Sequence, residues 1–157
     1  MTRLAKAGTY SVVETNHVSA VRTGNIKAQY EMAEGLNALE NGMIVTVDDV
    51  KKEVKIAGAT DTMYLHASEE RIYEDHLGRN SFVLTRPNLP RVLKLEEGDI
   101  FETNAVNYTA ALDTYKAGDV DTDGNIKLAA TGRLSIVEIV TLPNGEQGIK
   151  FAVKEIE

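Results

Sequence analysis

Short runs of β-branched and apolar residues recur along this chain, and Gly, Asn, Asp or Pro separates each run from the next. Runs of about four to eight such residues between turn formers are typical of β-strands. The longest covers residues 134–142, and Pro143-Asn144-Gly145 then predicts a turn back into a run at 148–153. Repetition of this pattern restricts the chain to a mainly β fold, because each strand needs neighbours and each apolar face needs a second layer.

The same pattern predicts most of the remaining strands. They cover residues 9–14, 17–22, 43–47, 53–57, 62–66, 81–85, 91–95, 100–103 and 126–129. Asn41-Gly42 is a favoured turn pair before a strand, and the polar residues 48–52 predict the connection of a hairpin. Pro87 and Pro90 indicate a loop, because proline lacks the N–H that a central strand donates. The pairs Gly98-Asp99 and Gly118-Asp119 each predict a turn that leads into a strand.

Helix is predicted in two places. Residues 29–40 carry apolar side chains at three-residue spacing from Tyr30 to Leu36, although Gly35 lowers helix stability by about 1 kcal/mol. Residues 108–115 are short and form either a turn of helix or a strand.

We therefore predict an antiparallel β-sandwich or small barrel with an extended N-terminal arm and at most one or two short helices. We divide the chain into residues 1–40, the arm with a short helix or loop, and residues 41–157, the β-rich body.

Composition excludes several classes of protein. The chain has 157 residues and no cysteine, so disulfides, zinc–thiolate sites and thiol catalysis are excluded. No apolar run is long enough to span a bilayer, and the N-terminus lacks the apolar segment of a signal peptide. We expect a soluble protein that is made in the cytosol and does not bind membranes.

Charge is unevenly distributed. The net charge of −7 argues against nucleic-acid binding, yet Arg3, Lys6, Arg22 and Lys27 face a single acid, Glu14, within residues 1–30. This segment therefore carries +3, and the rest of the chain carries −10. Chance is one explanation, since four charges are few. The functional explanation is that the segment contacts an acidic partner or a neighbouring subunit.

The arm also has the strand-prone run 10–13, which begins with Tyr10. An extended segment binds by pairing its backbone with a partner strand. The predicted partner-binding residues are Arg3, Lys6, Tyr10, Arg22 and Lys27. On this hypothesis, deletion of residues 2–24 abolishes binding and leaves the body folded.

Asp119, Asp121 and Asp123 stand at alternate positions, and Gly124 follows. An EF-hand calcium loop begins in the same way, but it needs a bidentate glutamate at its twelfth position, which is Ala130 here. The ninth position is a lysine, and the next segment is a predicted strand rather than a helix. We interpret these residues as the bend of a hairpin and expect no metal site.

No other motif predicts chemistry. His17, His66 and His76 lack the spacing of metal ligands on a helix, and the run from His66 to His76 is typical of a solvated loop. Nucleophile-elbow, phosphate-loop and dinucleotide motifs are absent. We expect no catalytic residue, no cofactor and no enzymatic activity.

Three segments carry a resemblance to a known class of protein. Residues 41–47 (NGMIVTV), residues 90–104 (PRVLKLEEGDIFETN) and the pattern from Ala117 to Leu134 resemble small β-rich virion proteins of tailed bacteriophages. All three lie within residues 41–153, and residues 1–40 fit least well.

The resemblance implies a capsid decoration protein, also called a cement or head auxiliary protein, with a β-tulip-like body. Such proteins bind the outside of the head lattice and reinforce it, often as trimers. The implied partners are the major capsid protein and copies of the chain itself, in a homo-oligomer for which a trimer is favoured. The implied location is the capsid surface of the virion, after synthesis in the host cytoplasm.

Other functions stay open. A head–tail connector or tail structural protein belongs to the same class. A monomeric β-sandwich that binds a ligand or glycan needs exposed aromatic side chains, for which the six tyrosines are the candidates. A hydrolase with two carboxylates needs acidic residues at a set separation, which sequence does not define.

Overall fold

The structure, a computed structural model, describes residues 2–5, 10–68, 83–86, 88–142 and 145–154. Strands account for 45% of the described residues and helix for 5%, which confirms the mainly β class. The described strands form sheets of eight, six and two strands. None of these described sheets closes into a barrel, so the fold is the sandwich-like alternative of the two predicted architectures.

The strands are numbered along the chain. The first eight are β1 (Thr2–Arg3), β2 (Val13–His17), β3 (Ile26–Lys27), β4 (Glu31–Met32), β5 (Ala38–Leu39), β6 (Ile44–Asp48), β7 (Glu53–Ile56) and β8 (Tyr64–His66). The next eight are β9 (Leu84–Thr85), β10 (Val92–Lys94), β11 (Ile100–Thr103), β12 (Val106–Tyr108), β13 (Ala117–Val120), β14 (Ile126–Ala129), β15 (Leu134–Thr141) and β16 (Gln147–Val153). The described helices are α1 (Ala20–Thr23) and a 3-10 turn (Leu112–Thr114).

The large sheet has the strand order β1-β12-β14-β13-β15-β16-β11-β2. Its pairs are antiparallel except β12 with β14. Long cross-strand pairing joins β15 to β16, and β11 pairs with the other side of β16. Phe101 and Phe151 are opposite each other in β11 and β16, and their ring centroids are 5.6 Å apart.

The six-stranded sheet has the order β3-β10-β8-β6-β7-β4, and the two-stranded sheet joins β5 to β9. One buried cluster contains Ile44 and Leu65 from the six-stranded sheet together with Phe151 from the large sheet. A second buried cluster contains Val45 from the six-stranded sheet and Leu39 from the two-stranded sheet. Because successive strand residues point to opposite faces, the six-stranded sheet is covered on both faces and forms the middle layer.

Most predicted strands are confirmed. Every predicted run from 43–47 to 148–153 contains or overlaps an observed strand, and residues 48–52 connect β6 to β7 as a hairpin. The run at 9–14 overlaps β2 only at its last two residues. Gly98 makes the predicted turn with φ of 89°, whereas Gly118 lies inside β13.

The helix predicted over residues 29–40 is wrong. This segment forms β4 and β5, which pair with β7 and β9. Its backbone carbonyls are satisfied by another part of the chain, because one Arg86 nitrogen donates to the carbonyls of Met32, Ala33 and Leu36. Tertiary contacts therefore outweigh a weak local helical pattern that Gly35 interrupts at φ of 89°.

The strand predicted over residues 17–22 is also wrong beyond His17. The backbone N–H and the hydroxyl of Ser19 donate to the Asp99 carboxylate, and α1 then begins at Ala20. Gly24, with φ of 79°, ends this helix. Residues 108–115 end β12 and then form the 3-10 turn, so both predicted alternatives are present in part.

The N-terminal segment shares its sheets with the rest of the chain. β1 pairs with β12, β2 with β11 and β3 with β10. Val12, Val18 and Ala20 are buried. Deletion of residues 2–24 would remove these core side chains together with β1 and β2, which argues against the prediction that the body stays folded without them. The division of the chain at residue 40 stays a prediction.

Candidate functional site

The predicted partner-binding residues lie on different elements of the structure. Arg3 lies on β1 and donates to the Glu40 carboxylate at 2.7 Å, so it is engaged within the chain. Tyr10 is 40% exposed, and Arg22 is exposed at the end of α1. The Lys27 ammonium lies 5.6 Å from the centre of the Tyr30 ring and 3.8 Å from the Asp49 carboxylate.

Lys6 lies outside the described residues. No described contact joins any two of the remaining four residues. Their role in binding a partner stays a prediction.

The aspartate-rich stretch forms the bend of the β13–β14 hairpin, as predicted. The Asp123 carboxylate accepts hydrogen bonds from the backbone and side chain of Asn125 and from the side chain of Asn107. Burial by itself would raise the pKa of Asp123, but these hydrogen bonds lower it below its usual value. The same Asn107 nitrogen also donates to Asp121 at 3.2 Å. An amide nitrogen therefore occupies the position between two carboxylates where a cation would bind.

We expect no micromolar calcium binding at this bend, because the Asn107 amide already satisfies both carboxylates. Calorimetric titration of calcium into the wild-type chain and into Asp121→Ala measures it. A micromolar site in the wild type that disappears in the variant would contradict this expectation.

His66 and Ser68 form a pair of the kind that nucleophilic catalysis uses. His66 is fully buried on β8, so its assignment to a solvated loop is wrong; residues 69–76 lie outside the described residues. Its Nδ1 lies 2.9 Å from the Glu40 carbonyl oxygen, which only accepts, so Nδ1 carries the proton. Nε2 then accepts a hydrogen bond from the Ser68 hydroxyl at 2.8 Å. The hydroxyl oxygen also accepts from the Arg91 N–H.

The surroundings of His66 oppose a catalytic role. Burial lowers its pKa from 6.5 to about 4, and the hydrogen bond to Glu40 offsets only part of this. A general base is most efficient with a pKa near the working pH, and no described carboxylate stabilises an imidazolium here. The pair is better explained as a hydrogen-bonded anchor that also includes Asn41, whose side chain bonds the backbone N–H and carbonyl of Ser68.

The large sheet is incomplete along β15. β13 pairs with β15 only at Leu134 and Ser135, and the Ile136 N–H donates to the Lys116 carbonyl. The register with β16 then shifts between Ile136 and Glu138, so Val137 is the extra residue of a β-bulge. A bulge bends its strand, which explains why β15 leaves β13 at this point. We call residues 137–141 the open edge, since no described strand pairs with their outer side.

The direction of the backbone groups at the open edge follows from the ladder. Leu142 donates to Glu146 across the hairpin, and Lys154 donates to the carbonyl of Arg133 at the other end. Inward and outward residues alternate in an antiparallel ladder. Counted back from Leu142, the N–H and carbonyl groups of Ile139 and Thr141 therefore point away from β16. Counting from Arg133 gives the same result, because the extra residue at Val137 shifts the alternation by one position. No described residue bonds to them.

The open edge exposes two apolar side chains, on either side of the charged Glu138. Val137 is 51% exposed and Ile139 is 38% exposed. Ile139 is opposite the buried Ile149, so it lies on the face of the sheet that elsewhere covers the core. Lys150 contacts Glu138 at 3.1 Å, and this contact raises the pKa of Lys150.

The sequence contains a signal for this surface that our prediction did not use. Residues 136–137 and 139–140 are apolar pairs in adjacent positions, so apolar side chains lie on both faces of a strand that needs only one for the core. The surplus indicates a strand that is covered on more sides than its own chain provides.

In comparisons with known proteins, no family model, no curated protein and no solved structure gives a significant match to this chain. Among the described residues, no three His, Asp or Glu side chains are grouped so that they could hold a metal ion. The described helices are too short to cross a bilayer.

Proposed function

We propose that this chain is a structural virion protein that binds the outer capsid surface and reinforces the head lattice, as a decoration or cement protein. The observation that carries the proposal is the open edge of β15, where backbone groups point outward without described partners and apolar side chains are exposed. Such an edge binds extended protein segments. The resemblance of residues 41–47, 90–104 and 117–134 to small bacteriophage virion proteins supports the class of partner.

Energetics also favour a lattice as the partner. An edge of five residues makes a weak contact by itself, but a particle presents the same site many times. Association among copies of the chain, for which a trimer is our preferred state, multiplies the contacts further. The partners in this proposal are the major capsid protein and other copies of this chain.

Co-sedimentation tests the proposal. Heads assembled from the major capsid protein of the same genome are mixed with the purified chain and separated on a density gradient. We expect the chain to move with the heads at saturating, stoichiometric occupancy, and native mass spectrometry of the free chain to give a trimer. A chain that stays at the top of the gradient contradicts the proposal.

Electron microscopy of particles that carry the labelled chain distinguishes the alternative functions within this class. Label over the whole head surface supports decoration, whereas label at one vertex or along the tail supports a connector or tail protein.

A ligand-binding module is the second candidate, and one cleft favours it. The cleft has a volume of about 210 Å³ and is lined by Gly24, Asn25, Ile26, Lys27, Tyr64 and Lys94. Both lysines lie beside acids, with Lys94 3.6 Å from Glu96. Ligand pockets usually enclose about 300–1,000 Å³. The small volume and the neutralised charges make this function the weaker candidate.

A further inference from the structure

We propose that the open edge of β15 accepts an extended segment of the capsid partner as an added β-strand. The inference rests on the proposed function, since it names the part of this chain that the partner contacts. The segment carries a β-branched apolar side chain where it faces Val137 and Ile139, and a lysine or arginine where it faces Glu138.

Backbone geometry requires an extended occupant. The N–H and carbonyl groups of Ile139 and Thr141 point outward on the same side of β15 and lack described partners. A strand that lies beside them satisfies these groups in the ladder pattern of the existing sheet. Main-chain hydrogen bonds then give affinity, and alternate side chains give specificity.

Other edges of the described sheets are less suited to this role. β2 ends the large sheet on its other side, but it carries Glu14 and the exposed His17. The one apolar side chain of β2, Val13, is partly buried against the core, so β2 has no exposed apolar side chain for a partner. The outer strands β1, β3 and β4 have only two residues each. Only the β15 edge, among those described, combines length with exposed apolar side chains.

The charges around Glu138 indicate where the partner segment carries a lysine or arginine. Lys150 lies between Glu138 and Glu102, at 3.1 Å and 3.7 Å. One cation therefore faces two carboxylates, and the Glu138 side chain remains 57% exposed. A lysine or arginine from the partner balances the remaining negative charge, and the chain as a whole, at −7, favours the same sign.

A second copy of this chain fits the edge less well. Antiparallel pairing about Ile139 would place Glu138 of one chain diagonal to Glu138 of the other, between two chains of −7 each. Stable interfaces also involve about 20–30 residues a side, far more than the open edge supplies. A repeated capsid surface compensates for a short contact, whereas a two-chain complex does not.

The test compares head binding by four forms of the full chain: wild type, Ile139→Asp, Glu138→Lys and Val50→Asp. Val50 is 92% exposed in the turn between β6 and β7, so it is the matched control for placing a charge on the surface. We expect binding about tenfold weaker or more for the two edge variants and unchanged for the control. Thermal unfolding of each variant establishes that it is folded.

The outcomes distinguish failure of the inference from failure of the proposed function. If the edge variants bind heads as the wild type does, the inference is overturned and the proposed function stands. If the wild type fails to bind heads, the proposed function is overturned, and a capped peptide Thr-Val-Lys-Val-Thr then tests the edge alone. We expect that peptide to slow amide exchange of Ile139 and Thr141 about threefold or more, and Thr-Val-Glu-Val-Thr to have less effect.

Two further results overturn the inference. One is exchange at these two amides that the Lys-containing peptide leaves unchanged. The other is a dimer in sedimentation equilibrium that Ile139→Asp dissociates, since the occupant of the edge is then a second copy of the chain.

Discussion

Lowering the pH from 7 to 4 is expected to reduce the free energy of unfolding by about 3 kcal/mol through His66 alone, since one pKa unit corresponds to about 1.4 kcal/mol. In the folded chain the pKa of His66 is about 4, against 6.5 for a free imidazole. Below pH 6.5 the unfolded state binds a proton that the folded state does not bind until about pH 4. Stability is therefore fully present above pH 6.5 and is lost as the pH falls towards 4.

Urea unfolding at closely spaced pH values measures this loss. His66→Gln removes the titrating group and should flatten the curve between pH 6.5 and 4.5, although its stability at pH 7 falls because the hydrogen bonds to Glu40 and Ser68 are disturbed. His17→Gln, at an exposed position on β2, is the matched control and should leave the slope unchanged. An unchanged slope in His66→Gln would show that the pH dependence has another source.

Three aspartates with lowered pKa values, Asp48, Asp119 and Asp123, titrate below the range in which His66 acts. The pKa of Asp119 lies below its usual value of 3.8, because hydrogen bonds from Arg133 and the Val120 N–H outweigh the effect of burial, which by itself raises it. Its contribution to stability is present above pH 3.8 and is lost as the pH falls further. Comparison of the wild type with His66→Gln between pH 6.5 and 4.5 isolates the contribution of His66, since both proteins contain the same carboxylates.

The strands were predictable where local pattern and tertiary requirement agree. Residues 134–142 are rich enough in β-branched and apolar residues, and the turn signal after them is clear enough, to define the β15–β16 hairpin from sequence. The bend at Asp123-Gly124 was predictable for the same reason, since Gly124 adopts φ of 90° there.

Errors occurred where distant residues decide the backbone. The contacts of Arg86 with three carbonyls of the 32–36 segment, and of Asp99 with Ser19, join positions far apart in the chain. Local periodicity contains no information about these partners. His66 was misassigned for the same reason, because its polar neighbours in sequence predict solvent, whereas β6 and β10 cover it on both sides in the sheet.

The candidate site was only half predictable. Sequence indicates that residues 134–142 form a strand, but whether its outer side has a neighbour depends on where β13 stops pairing. That point is set by the bulge at Val137, and a bulge has no clear signature among consecutive apolar residues. The predicted arm was chosen by charge, and charge did not show that Arg3 is already paired with Glu40.

Arg133 joins the layers that position the open edge. Its guanidinium binds the Asp119 carboxylate on β13, with Nη2 2.7 Å from Oδ1. It also donates to the carbonyls of Gly58 and Asp61, in the loop between β7 and β8 of the six-stranded sheet. One side chain thus connects the large sheet to the six-stranded sheet just before β15 begins.

Replacement of Arg133 by alanine is therefore expected to lower the free energy of unfolding by about 2–3 kcal/mol, a value reduced from that of a fully buried pair because Asp119 is partly exposed. Asp119 loses the guanidinium and keeps backbone donors, the Asp61 carbonyl loses its described donor, and the Gly58 carbonyl keeps only the Asp61 N–H. Urea unfolding at pH 7 measures the effect, and Arg133→Lys should recover only part of it, because an ammonium cannot form the paired hydrogen bonds of a guanidinium.

Arg22→Ala is the matched control, since Arg22 is exposed at the end of α1, and its effect should stay within about 0.5 kcal/mol. A double-mutant cycle with Asp119→Asn separates the ion pair from the two carbonyl contacts. If coupling to Asp119 accounts for the whole loss, the link to the 58–61 loop contributes nothing to stability. If Arg133→Ala is as stable as the wild type, this contact contributes nothing to holding the two sheets together, and the position of the open edge depends on the apolar core and on other links such as the hydrogen bond from the Ile44 N–H to the Gly124 carbonyl.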